Sequence, residues 1–104
     1  MSKYINRTNE LLDKVKSILD SFVRNEDTSF WASEYIAEKE VTSQYIELLT
    51  DVKLLLFSDS PQHPLYIKTL ELREYEQGSY YDFINLRDIL SKYLEYRTFL
   101  EAED

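Results

Sequence analysis

The chain has no cysteine, one glycine, two prolines and one histidine among 104 residues, and each shortage excludes something. Without cysteine there are no disulfides, no thiolate metal sites and no cysteine nucleophile. A glycine-rich phosphate loop cannot be built around Gly78 alone. His63 stands by itself in a proline-flanked loop, so a two-histidine zinc site or a paired Glu-x-x-His di-iron site is incomplete and a histidine-based triad is not expected. So few turn formers also argue against a β-rich fold, which needs many tight turns. The longest apolar run, Leu54-Leu-Leu-Phe57, is far short of the ~20 residues that span a bilayer. The first residues, Met-Ser-Lys-Tyr-Ile-Asn-Arg-Thr, lack the apolar segment of a secretory signal, and a cytoplasmic location is expected.

What is present is acid, tyrosine and aliphatic residues. Twenty carboxylates face twelve bases, for a net charge of −8, while hydrophobic residues make up 43% and aromatics 14%. That much apolar material is more than a disordered acidic tail carries, so the charge is expected on a folded body. The length suits one domain over residues 1–104, without metal or cofactor to hold it together. An acidic field repels nucleic acid and anionic lipid and steers basic proteins in. Residues 1–58 hold ten acids and seven bases, residues 59–104 ten acids and five, so a binding face is expected in the second half.

Helical periodicity organises the chain. Over residues 3–24, Leu11, Leu12, Val15, Ile18, Leu19, Phe22 and Val23 form an apolar stripe, with Glu10–Lys14 and Asp20–Arg24 as i,i+4 pairs. Asn25-Glu-Asp-Thr-Ser29 follows as a turn, with Asp27 to Ser29 as cap candidates. Residues 30–57 carry Trp31, Tyr35, Tyr45, Leu48, Leu49, Val52, Leu55 and Leu56 on one side. Their middle is weak, so one bent helix is expected, with a break near residues 40–43 as the alternative. Ser58-Asp-Ser-Pro-Gln-His-Pro64 is a loop, because each proline biases its predecessor out of the helical region. Pro64 then suits the first turn of a third helix reaching about residue 76. A hairpin over residues 65–82 is the rival, and helix is preferred because Leu-Glu-Leu-Arg-Glu is strongly helix-forming and no other segment offers a sheet partner. Gly78 would lie past that helix, and Ser79 with Asp82 forms a capping box for a last helix carrying Phe83, Leu86, Ile89, Leu90, Tyr93 and Leu94 inward. Asp88–Lys92 adds a surface pair. The fold class expected is all-α: a single-domain antiparallel bundle of about four helices.

Catalytic motifs are poorly supplied. Many helical ribonuclease toxins place an arginine four to six residues before a histidine, and here Phe57, Ser58 and Asp59 occupy those positions. All-α nucleotide pyrophosphatases hold magnesium through Glu-x-x-Glu followed by Glu-x-x-Asp. This chain has Glu10-Leu-Leu-Asp13 before Glu71-Leu-Arg-Glu74, the reverse order, with Lys68 and Arg73 competing for the carboxylates. Glu34 and Glu38 share a helix face and read best as solvated surface. Tyr35, Tyr45 and Tyr93 lie on apolar stripes and are expected in the core, as is Trp31.

The densest feature is residues 71–82, with four carboxylates, three tyrosines and the lone glycine. Tyrosine brings contact area at low entropic cost and carboxylates meet cations, so this composition suits a protein contact. Since Gly78, Ser79 and Asp82 have local structural roles, the candidate partner-binding residues are Glu71, Glu74, Tyr75, Glu76, Tyr80 and Tyr81. Packing of at least one of these tyrosines is the competing reading.

The run Ile18-Leu-Asp-Ser-Phe-Val-Arg-Asn-Glu-Asp-Thr-Ser-Phe-Trp-Ala-Ser-Glu-Tyr35, the later acidic tyrosine stretch and the Leu86 to Leu90 repeat resemble, in order and pattern, the small helical colicin-type immunity proteins. That resemblance implies a helical protein that binds a nuclease toxin through acidic and tyrosine residues. The leading expectation is therefore a non-enzymatic immunity or inhibitor protein that masks a basic, nuclease-like surface of a partner. The alternatives are a phage-encoded inhibitor imitating nucleic acid charge, a helical adaptor forming a homo-oligomer, and a magnesium-dependent all-α hydrolase.

Overall fold

Ser2 opens the first helix: its hydroxyl accepts the Ile5 N–H at 3.2 Å, satisfying one of the donors a helix start leaves bare. The computed structural model describes residues 2–24, 35–37, 41–72 and 79–102. They form an all-α bundle of α1 (Lys3–Asp20), α2 (Thr42–Asp59), α3 (Pro64–Leu70) and α4 (Tyr80–Ala102). One small antiparallel ribbon, β1 (Phe22–Arg24) with β2 (Tyr35–Ala37), joins α1 to α2 and pairs Val23 with Ile36.

The boundaries follow local chemistry. α1 stops when the Ser21 N–H and hydroxyl both turn back to the Ile18 carbonyl, the hydroxyl at 2.6 Å. α2 stops at Ser60, which the following Pro61 holds extended at φ −160°, ψ 127°. His63 is extended before Pro64, and its Nδ1 accepts the Leu65 N–H at 3.1 Å. The histidine expected only as a loop residue is thus the N-cap of α3, and Pro64 sits in that helix's first turn. α4 begins with the expected capping box. The Ser79 N–H donates to Asp82 Oδ2 at 2.8 Å, and the Asp82 N–H to Ser79 Oγ at 3.3 Å.

Three expectations of length are corrected. The first helix ends at Asp20 rather than near residue 24, because β-branched Val23 enters the ribbon; Val23 is 49% exposed instead of lying in the core. The helix expected over residues 30–57 is Thr42–Asp59, and Tyr35–Ala37 is a strand. Tyr35–Ala37 pairs antiparallel with Phe22–Arg24 instead, with Ile36 opposite Val23 in the register. The third helix ends at Leu70 rather than near residue 76, where the Glu71 and Leu72 N–H groups tighten onto the Lys68 and Thr69 carbonyls. Trp31, Glu34, Glu38, the cap candidates Asp27 to Ser29, and Gly78 lie outside the described residues.

The long helices align through their contacts. The start of α1 meets the ends of α2 and α4, Tyr4 donating to the Ser58 carbonyl and Ser2 to Glu101. The end of α1 meets the start of α4 through Phe22, Tyr80 and Phe83. α1 therefore runs antiparallel to both, and α3 packs on α2 with Tyr66 edge-on to Phe57 at 5.5 Å. Leu11, Leu12 and Val15 of α1, Tyr45, Leu48, Leu49, Val52 and Leu56 of α2, and Phe83, Leu86, Ile89, Leu90 and Tyr93 of α4 are buried together. Each such side chain contributes about 1.5–3 kcal/mol of burial before entropy is counted. Tyr45 and Tyr93 are core residues as expected. The surface pairs differ: Glu10 binds Arg7 rather than Lys14, and Asp88 binds Arg87 rather than Lys92.

Candidate functional site

The acidic tyrosine segment lies where α3 ends and α4 begins. Glu71 is exposed and caps the end of α3 through its backbone. Glu74, Tyr75 and Glu76 lie outside the described residues. Tyr80 and Tyr81 open α4 with their rings brought together, centroids 5.6 Å apart and nearly perpendicular at 84°. Tyr80 is half-buried because it also meets Phe22 edge-on at 5.5 Å, and Phe22 in turn touches the fully buried Phe83. A chain of rings thus runs outward from Tyr45 and Phe83, 5.5 Å apart in the core, through Phe22 and Tyr80 to Tyr81, which is 53% exposed. Such edge-to-face contacts hold an aromatic step in one orientation. Asp82 beside it is committed to the Ser79 cap. Chemically, this end of the bundle offers a supported phenol ring for contact.

A second cluster, which sequence reasoning missed, closes the other end. Tyr93 donates to Asp59 Oδ2 at 2.7 Å, and Arg97 Nη1 reaches the same oxygen at 3.3 Å. Arg97 Nε donates to Glu101 Oε2 at 3.2 Å, and Ser2 Oγ donates to that oxygen at 2.6 Å. The Arg97 guanidinium lies over the Tyr4 ring at 4.4 Å. Burial, then the hydrogen bond to Asp59 and its charge, push the Tyr93 phenol well above its ordinary value. Burial opposes the charge on Arg97, yet Tyr93, Asp59 and Glu101 outweigh it and raise its pKa. His63 adds its ring edge-on to Tyr93 and Tyr96. This network ties three helix ends together and explains why polar groups are tolerated there. The legible signal was the i,i+4 series Tyr93, Arg97, Glu101 along one face of α4.

Between α1 and α2 runs a groove. Its larger part, about 490 Å³, is lined by Asp13, Lys14, Ser17 and Ile18 of α1 and by Gln44, Glu47, Leu48 and Asp51 of α2. A smaller part, about 330 Å³, continues past Asp51 toward Arg7 and Lys3. Of the paired carboxylate motifs considered for magnesium, Glu10 is held by Arg7 and Asp13 lines the groove. Among the described residues no three His, Asp or Glu side chains converge as a metal site would need, and no helix is long and apolar enough to cross a membrane. No family model, curated protein or solved structure matches the chain.

Proposed function

We propose that this protein is an acidic, cytoplasmic protein-binding module of the immunity or inhibitor kind, which masks a basic surface on a partner such as a nuclease. The observation that carries the reading is the ring chain that reaches Tyr81, which is half exposed. A large aromatic resting on Tyr80, which Phe22 in turn braces, loses little freedom on binding, which is what a contact anchor requires. The net charge of −8 supplies the complementary field. In the mechanism proposed, Glu71, Glu74 and Glu76 pair with lysines or arginines that would otherwise meet substrate phosphates, while Tyr75, Tyr80 and Tyr81 exclude water. Capture from the native host followed by elution with salt tests it. A basic protein released by salt is the expected result, lost on replacing Glu71, Glu74 and Glu76 by lysine with the helical circular dichroism unchanged. Recovery of no basic protein, or undiminished capture by the lysine variant, would sink the reading or the face respectively.

Self-association is a second reading, favoured by a specific surface. Leu54 and Phe57 on α2 and Ile67 and Leu70 on α3 are between 46% and 62% exposed, and the Phe57–Tyr66 contact places the two helices side by side. Apolar side chains grouped in this way are common at interfaces. A mass measurement in solution separates the readings: a salt-insensitive dimer favours an adaptor, a monomer favours the inhibitor.

A further inference from the structure

The α1–α2 groove has the geometry of a helix receptor. Its walls are two helical rows, Asp13, Lys14, Ser17 and Ile18 on α1 facing Gln44, Glu47, Leu48 and Asp51 on α2. Residues 44 to 51 cover two turns, a length of roughly 10 Å at the α-helical rise. Its floor is apolar, with Leu48 buried and Ile18 half-buried. Its rim carries Asp13 on one wall and Glu47 and Asp51 on the other, with Lys14 beside Asp13 and with Arg7 and Lys3 in the groove's continuation past Asp51. Asp51 is shared with Arg7 at 3.5 Å, whereas Asp13 and Glu47 make no ion pair among the described residues.

We infer that this groove seats a short basic amphipathic helix of the partner, with one or two aliphatic side chains on Ile18 and Leu48 and flanking lysines or arginines on Asp13 and Glu47. The inference rests on the proposed class of partner and adds a second contact surface, separate from the Tyr81 step. Charge decides the occupant. An acidic or phosphate-bearing segment would set its charge against Asp13 and Glu47, while a basic one pairs these two carboxylates, which make no ion pair among the described residues. A second copy of this chain, itself at −8, is disfavoured by the same field.

The test uses the full chain, labelled with nitrogen-15 and titrated with a synthetic amphipathic helix of leucine and lysine, beside the same peptide with glutamate for lysine. Amide shifts concentrated at residues 13–18 and 44–51, given by the lysine peptide only, are expected. The double substitution Asp13→Lys, Glu47→Lys should weaken that binding by roughly tenfold or more. Both side chains are exposed, and Asp13→Asn, Glu47→Gln, a milder pair, should show the same direction. Lysine-peptide shifts confined to Glu71, Tyr80 and Tyr81 would overturn the groove and leave the partner class standing. Failure to bind the lysine peptide anywhere would overturn both. Equal binding of the glutamate peptide would overturn the charge argument. Concentration-dependent shifts of the groove without peptide would assign it to a second copy instead.

Discussion

The guanidinium of Arg97 lies 4.4 Å from the centre of the Tyr4 ring, so the last turns of α4 hold down the first turn of α1. Arg97 also stands between Asp59 and Glu101, with only 17% of its side chain exposed. Removing it strands two carboxylates in a half-dry site. Arg97→Ala should cost about 3 kcal/mol, read from the midpoint of urea unfolding. Arg97→Lys keeps the charge but loses the planar fork and the stacking, and should cost about 1 kcal/mol. Glu10→Gln breaks a pair that is 61% exposed on its acidic side, and should stay within about 0.5 kcal/mol. Equal effects from all three would mean the cluster is no clamp.

Tyr93 makes the same clamp sensitive to alkali. Its phenol is raised above the ordinary value of 10.0 by burial and by Asp59, so the folded state keeps a proton that the unfolded chain releases. The stability from this group is fully present below the unfolded phenol value. It is then lost as pH rises from there toward the folded value, at up to about 1.4 kcal/mol per pH unit. Tyr93→Phe should remove that slope and cost about 1–3 kcal/mol at neutral pH, because Asp59 loses a donor. Urea unfolding of both proteins on either side of the phenol value measures it; parallel curves would contradict the coupling.

The capping box at Ser79 and Asp82 sets the start of α4 and therefore the position of Tyr80 and Tyr81. Ser79→Ala should cost about 1 kcal/mol, a fall of about 4–8 °C in Tm for a domain of this size. Asp82→Ala should cost a similar amount, since its carboxylate receives the Ser79 N–H. A melt unchanged in both variants would show that α4 does not depend on this cap.

These features differ in how far the sequence reveals them. Strong local signals were legible: Leu11, Val15, Leu86 and Leu90 recur at helical spacing and are buried, and Ser79 to Asp82 spells its own cap. Pro61 and Pro64 fixed the loop because their rings restrict the residue before them. The ribbon was not legible, since Phe22 and Val23 continue the apolar stripe of α1, and only pairing with Ile36 and Ala37 shows otherwise. Asp59 and Arg97 are 38 residues apart, and no local rule brings them together. Of the candidate face, composition alone could not tell Tyr80 from Tyr81. Among the described residues, Phe22 comes from far earlier in the sequence to meet Tyr80 edge-on, and Tyr81 is the more exposed of the two.

That separation yields the sharpest functional prediction. Tyr81 is 53% exposed, whereas Tyr80 is braced by Phe22, so truncating each should fail differently. Tyr80→Ala should lower both stability and partner affinity, because it removes an aromatic contact worth about 0.5–1.5 kcal/mol beyond burial. Tyr81→Ala should cost no more than about 1 kcal/mol of stability yet about 2 kcal/mol of binding, roughly a thirtyfold loss of affinity. Tyr80→Phe keeps the ring and should leave the melt near that of the parent. Calorimetric titration against the captured partner, with thermal melts of each variant, reads both effects. Unaltered affinity in Tyr81→Ala would remove the exposed ring from the contact and move the binding face elsewhere on the acidic surface.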